Sequence, residues 1–244
     1  MEPTAEGAST NHMVNVGRLS ALPQEITHKI LSCLPISDLT RVGILSHRFR
    51  ALYLSTPMLN FTEFPSDFIR TLNKRLELLT SSDRFFIRRG QNKVQSFSLS
   101  WYCKCHSGDS EIETRGCVEK SLVMAWFEKA VNYNVEKLDV SVSNQCKCNA
   151  EFPACVFVCG SLRSLSATVS SAALKAPIFS TCSISNLVFL RLRNVTVEDE
   201  EGFCGWVSFY CRFIKELRLE RTRGLKNINI QSSSLKSCRL RSYC

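Results

Sequence analysis

An α/β architecture is expected for this chain of 244 residues: a three-helix module first, then a solenoid with parallel strands. Two observations point there. Between Leu22 and Tyr53, apolar residues recur at helical spacing in three short stretches. Beyond residue 93 the pattern changes to an apolar triplet at i, i+3 and i+5, which recurs seven times. The expected division is a disordered tail over 1–17, the helical module over 18–60, a connecting helical segment over 61–93, and repeats over 94–244.

The tail, MEPTAEGASTNHMVNVG, is polar and rich in small residues. It lacks the basic start and apolar core of a signal peptide. In the helical module Leu22, Ile26, Ile30, Leu31 and Leu34 form one stripe, Leu39, Val42 and Leu45 a second, and Phe49 and Leu52 a third. Pro23 suits the first turn of a helix, where its missing N–H is not needed. Pro35 ends that helix, Ser37 is expected to cap the next, and Ser46 the one after. Helices this short cannot bury so much apolar surface among themselves, which marks a docking surface. The competing reading is an ordinary helical subdomain packed on the rest of the chain.

The residues Leu22-Pro23, Glu25, Ile30-Leu31, Leu34-Pro35, Asp38-Leu39, Leu45-Ser46 and Arg48-Phe49-Arg50 resemble the F-box. The resemblance implies docking on a Skp-type adaptor and, through it, a cullin scaffold in a ubiquitin ligase of the SCF kind. It assigns the adaptor contact to Leu22, Pro23, Ile26, Ile30, Leu31, Leu34, Pro35, Asp38, Leu39, Val42, Leu45, Phe49 and Leu52. Phe49 stands where relatives often carry Trp, and the smaller ring is expected to weaken the dock.

The triplets are Val94-Phe97-Leu99, Val135-Leu138-Val140, Leu162-Leu165-Ala167, Leu187-Leu190-Leu192, Ile214-Leu217-Leu219, Leu225-Ile228-Ile230 and Leu235-Cys238-Leu240. Two positions apart, the second and third residues share one face of a strand, and the first anchors the turn into it. Starting points at 135, 162, 187 and 214 lie 27, 25 and 27 residues apart. That matches a leucine-rich repeat, with its ~20–29 residues for one strand and one return. The 41 residues from 94 to 135 imply an insertion or a degenerate repeat. The last intervals, 11 and 10 residues, are too short for a returning helix, so strands are expected on both sides of the coil there.

Helices fit between strands. Phe68, Leu72, Leu76 and Leu79 form one stripe, and Val118, Leu122, Trp126, Ala130 and Val131 another. Phe203, Trp206, Val207 and Tyr210 follow an acidic run, Glu198 to Glu201, that suits a helix N-terminus. VEKLDVSV, SLRSLSATVS, NLVFLRLRNVTVEDEEGF and IKELRLERTRGLKNINIQSSSLKSCRL, in this order after the F-box, resemble plant F-box/leucine-rich-repeat proteins of the F-box/FBD/LRR-like group. Members often continue into an FBD region. This sequence stops at Cys244, one strand into a repeat and without a polar cap, so a short or truncated form is expected.

Composition limits the function. Hydrophobic residues make up 44% and charged residues 22%, ordinary for a globular protein. No apolar run approaches the ~18–20 residues of a membrane span, so no membrane partner is expected. Thirteen cysteines without a secretory signal are expected as reduced thiols, placing the protein in the cytoplasm or nucleus. The net charge of +9 gathers in two places. Residues 212–244 hold nine basic against two acidic residues, and Arg70 to Lys93 seven against two. These charges either solvate outer faces or form a basic face for an acidic or phosphorylated protein substrate.

No glycine-rich phosphate loop, HExxH or nucleophile elbow is present, so neither catalysis nor a cofactor is expected. Cys103, Cys105 and His106 with Cys146 and Cys148 offer zinc-type ligands. Their C-x-C spacing fits structural zinc poorly, and two reduced loops explain them as well, so no metal ligand is assigned. Substrate contact is expected on the concave face, where Lys137, Asp139, Ser164, Ser166, Phe189, Arg191, Arg218 and Glu220 flank buried positions. Arg191 and Arg218, at equivalent places in adjacent repeats, are the substrate-binding candidates for a carboxylate or phosphate. The alternatives are a basic nucleic-acid-binding repeat protein, though it lacks a zinc finger, basic zipper or RNA-binding aromatic signature, and a truncated chain that binds the ligase core without substrate.

Overall fold

The computed structural model describes residues 21–62, 72–103, 118–144, 150–175 and 186–241. The stripes of the first module become α1 (Gln24–Ser32), α2 (Ile36–Leu45) and α3 (His47–Ser55). Pro23 and Pro35 each stand just before a helix, at the N-cap. The Pro35 carbonyl accepts from the N–H groups of Asp38 and Leu39 at 3.1 and 3.0 Å. Ser37, expected as the cap of α2, therefore lies inside the helix, where its carbonyl accepts from Thr40 Oγ1 at 2.7 Å. Proline already fixes the extended-to-helical turn, and the cap moves to it. Ser46 does cap α3, accepting from the Phe49 N–H at 3.2 Å. Gly43 lets α2 and α3 meet closely, since a Cβ there would stand 2.8 Å from the Tyr53 ring.

The strands are β1 (Met58–Phe61), β2 (Ser96–Cys103), β3 (Lys137–Asn144), β4 (Ala150–Glu151), β5 (Ser164–Leu174), β6 (Phe189–Val197), β7 (Glu216–Glu220) and β8 (Ser237–Arg241). They form one parallel sheet in the order β1-β2-β3-β5-β6-β7-β8, with β4 beside β5. The triplet pattern becomes register. Phe97, Leu138, Leu165, Leu190, Leu217 and Cys238 are successive partners, as are Leu99, Val140, Ala167, Leu192, Leu219 and Leu240. The leading residues Val94, Val135, Leu162, Leu187 and Ile214 are all fully buried.

Behind the sheet run α4 (Leu72–Arg89), α5 (Val118–Asn132), a 3₁₀ turn (Ala154–Val158) and α6 (Glu200–Gly205), which continues as a π-helical turn (Trp206–Tyr210). Asp199 caps α6, its carboxylate accepting from the Gly202 N–H at 2.9 Å. Aromatic rings fill this layer: Phe61 lies 4.9 Å from Trp126, and Phe157 4.9 Å from Trp206.

Three expectations need correction. First, the sheet begins earlier than residue 94. Thr56, Leu59 and Phe61 repeat the triplet, and all three are buried. Thr56 hides the pattern because its hydroxyl, donating to Leu52 O at 2.9 Å, lets a polar residue take the anchoring place. Second, Leu225 to Ile230 form no strand. The segment does lie on the helix side, but side chains hold its backbone: Glu200 Oε1 accepts from the N–H groups of Lys226 and Asn227, both at 2.5 Å. Gly224 permits the entry at φ +84°, where a Cβ would meet Val197 O at 1.9 Å. Third, not all the basic residues between 70 and 93 are solvated, for Arg75 and Arg89 are buried. The long interval from 94 to 135 is one repeat among the described residues, because β2 and β3 are neighbours. Its surplus length and Phe68 fall outside the described residues.

Candidate functional site

Two surfaces can act. The first is on the helical module, whose sequence-derived contact set divides by burial. Leu31, Leu39 and Leu52 are in the protein's own core. Leu22, Leu34, Pro35, Asp38, Val42 and Phe49 are half-buried, and Asp38 accepts from Arg41 at 3.0 Å. Pro23, Ile26, Ile30 and Leu45 are exposed. Ile44, absent from that set, is the most exposed of the module's large apolar side chains among the described residues, at 76%, beside Leu45 at 73%. Two adjacent apolar residues on one helix point about 100° apart, so a core taking Leu39 and Gly43 cannot take both. The Ile44-Leu45 pair was the available signal.

This module is held to the sheet without a free linker. The Pro57 carbonyl, between α3 and β1, accepts from the N–H groups of Gln95 and Ser96 at 2.7 and 3.2 Å. Arg89 Nη2 donates to Thr56 O at 2.6 Å and to Lys93 O at 2.9 Å. Any partner on the helices is therefore fixed in orientation relative to the sheet.

The second surface is the solvent face of the sheet, and it is divided. On β2 and β5 it carries Ser96, Ser98, Ser100, Ser164, Ser166 and Thr168. On β6 to β8 it turns basic. Arg191, Arg218 and Arg239 are lateral partners, and Arg193, Glu220 and Arg241 form the next row. Arg191 and Arg218 are thus neighbours, but each guanidinium faces its own carboxylate. Arg191 Nη2 lies 3.0 Å from Glu220 Oε2, and Arg218 Nε lies 2.6 Å from Glu216 Oε1. The Arg218 guanidinium also lies over the Phe189 ring, 5.5 Å from its centroid. Arg193 approaches Glu220 at 3.8 Å. The Arg191 hydrogen bond comes first in holding the Glu220 carboxyl below the usual carboxylate range. Arg239 and Arg241 are exposed and make no ion pair among the described residues. The substrate candidates drawn from the sequence do not include them; their place on β8, beside Arg218 and Glu220, is seen only in the register.

The cysteines whose environment is described are free thiols. Burial pushes the Cys155 thiol up to about 11 and raises that of Cys204, as fits small apolar residues rather than nucleophiles. Cys103, at the end of β2, is buried, and its register partner is Asn144. The two cysteine-bearing loops thus leave neighbouring strand ends, but Cys105, His106, Cys146 and Cys148 lie outside the described residues. Among the described residues no His/Cys/Asp/Glu group could hold a metal ion, and no helix is long and apolar enough to cross a membrane.

A three-helix module fused to a parallel leucine-rich-repeat sheet defines an F-box/leucine-rich-repeat architecture. The comparisons agree. The family model described as the leucine-rich repeats of FBD-associated F-box protein At5g56370 matches residues 123–244, and an F-box-like model matches 19–58. F-box/LRR-repeat protein 25 of Arabidopsis thaliana is 29% identical over 232 residues, covering 91% of this chain and 74% of the relative. F-box/FBD/LRR-repeat protein At5g22700 and F-box/LRR-repeat protein At5g02910, of the same plant, are 29% and 26% identical. These alignments cover 50% and 88% of this chain but only 24% and 43% of the relatives. No solved structure matches. The chain belongs to the plant F-box/leucine-rich-repeat family, whose organisation is that of an F-box adaptor.

Proposed function

We propose that this protein is a substrate-recognition subunit of an SCF-type ubiquitin ligase. It binds a Skp-type adaptor, and through it a cullin scaffold, by the helical module. It holds a protein substrate on the sheet. Ubiquitin transfer belongs to the partner subunits; this chain contributes proximity and orientation. The observation that carries the reading is the apolar surface of Ile26, Ile30, Ile44 and Leu45, left exposed on helices rigidly joined to the repeats. The setting is the cytoplasm or nucleus, in keeping with the free thiols.

The substrate segment is acidic or phosphorylated. Five arginines against two glutamates on the solvent face of β6 to β8 support this. Arg191 and Arg218 contribute field and position, while Arg239 and Arg241 have guanidinium donors to spare for a carboxylate or phosphate.

The test is paired. Replacing Ile44 and Leu45 together with Asp should abolish co-purification of a Skp-type adaptor and cullin. Reversing Arg239 and Arg241 to Glu should keep the adaptor but lose proteins that accumulate on the chain after proteasome inhibition. Undiminished adaptor capture by the first variant overturns the ligase reading. Capture of nucleic acid that falls steeply with salt would favour the nucleic-acid alternative. An adaptor-bound chain that accumulates no protein would favour the truncated alternative.

A further inference from the structure

A cavity of about 500 Å³ opens between the docking helices and the first repeat. Gln24 from α1 and Arg48 and Ser55 from α3, with Arg88 and Asn92 from the end of α4 and the turn after it, give its polar lining; Leu52 and Leu54 give part of the apolar lining. Arg48 and Arg88 are both exposed and have no acidic partner among the described residues.

Next to Arg88 in α4, and not part of the lining, is Arg89, 1% exposed. Its Nε donates to Asn92 O at 3.1 Å, and its Nη2 to Thr56 O and Lys93 O. Its Nη1 has no hydrogen-bond partner among the described residues; the acceptors of its other nitrogens are carbonyl oxygens, and the guanidinium lies 5.8 Å from the Phe85 ring centroid. Burial draws its pKa down only to about 10, so the charge persists at neutral pH. A buried cation is ordinarily paired, and a buried unpartnered donor asks for an ion or water. Of the arginines, Arg48 from α3 and Arg88 from α4 line the cavity, and neither has an acidic partner among the described residues.

We infer that this cavity is an oxyanion site for a compact di- or triphosphate group, held between Arg48 of α3 and Arg88 of α4. The volume is in the ~300–1,000 Å³ range of small-molecule sites. Paired guanidiniums suit phosphate oxygens by planar, bidentate hydrogen bonding. The bound anion cross-links the docking helices to the repeats at the point where the two meet. The site is separate from the arginines of the sheet and from the apolar docking surface, so it stands whether or not the ligase reading holds.

Titration calorimetry of the full chain with sodium tripolyphosphate, pyrophosphate and orthophosphate, at matched ionic strength, tests this. Saturable one-to-one binding is expected, tighter for tripolyphosphate than for orthophosphate. R48A/R88A should weaken it about tenfold or more, and R48K/R88K less, since charge is kept and the planar fork lost. R212A/K215A, which removes two exposed cations outside both proposed sites, should leave it unchanged. The inference is overturned by no saturable binding of tripolyphosphate, by equal affinity for orthophosphate, or by loss in R212A/K215A rather than in R48A/R88A.

Discussion

Arg89, in the last turn of α4, donates to the carbonyl oxygen of Thr56 at the end of α3, with a separation of 2.6 Å. One side chain thereby joins the helical module to the first repeat, and it also ties down the Asn92 and Lys93 carbonyls. Arg89→Met should cost about 3 kcal/mol or more, because the buried Thr56 carbonyl and the Asn92 and Lys93 carbonyls lose a charged donor. Denaturant titration measures this. A loss below about 1 kcal/mol would mean that water satisfies these carbonyls as well as the guanidinium does.

A second buried cation behaves differently because it has an acid. Arg75 Nε and Nη2 bind the Glu119 carboxylate at 2.5 and 2.7 Å, with side chains only 3% and 2% exposed. Arg75 also donates to Tyr102 O and lies over the Trp101 ring, 4.8 Å from its centroid. Arg75→Met or Glu119→Leu alone should each destabilise by about 3–5 kcal/mol, since each strands a buried charge. The double replacement should recover much of that loss. A double-mutant cycle with no coupling would show the two helices to be held by packing alone.

Burial separates two kinds of change in the helical module. Leu39→Asp buries a charge in the core and should unfold the helices, seen as lost helical circular dichroism and a lowered Tm. Ile44→Asp, at a site 76% exposed, should change stability by no more than about 0.5 kcal/mol. A Tm that falls as far for Ile44→Asp as for Leu39→Asp would show that Ile44 packs inside the protein in solution.

His28 supplies a pH dependence. Its Nε2 lies 3.0 Å from Ser55 Oγ, and burial first, then the Arg89 charge, lowers its pKa below the usual 6.5. The unfolded chain therefore binds more protons than the folded one between the lowered value and 6.5, and stability there rises with pH. The contribution is intact above about pH 6.5 and is lost as pH falls toward the folded-state value. Stability curves from pH 7.5 down to 5 should flatten in His28→Gln. Parallel curves for the two proteins would place the titration elsewhere.

Much of the fold was legible because its signals are local and repetitive. Three stripes gave three helices, and Phe97-Leu99 through Leu217-Leu219 gave two buried rows of one sheet. The misses have local causes. Thr56 supplied its own hydrogen bond and so did not look like an anchor. Leu225-Ile228-Ile230 kept the triplet, but Glu200 and Ser208 took backbone N–H groups that a strand would have given to a neighbour. The contact set of the helical module had the right stripes and lacked the burial that divides Leu39 from Leu45.

By itself the sequence determined periodicity, and with it the order of elements, the register of the repeats and the family. Periodicity records which residues share a face, and faces at fixed spacing align without further information. Only the tertiary structure decided what each face meets. It turned Arg191 and Arg218 toward Glu220 and Glu216, left Arg239 and Arg241 without an ion pair among the described residues, and sank Arg75 beside an acid and Arg89 among backbone carbonyls. Charge pairing and desolvation depend on distances of a few ångströms between residues far apart in the chain. Arg75 and Glu119, 44 positions apart, are set by packing and not by spacing.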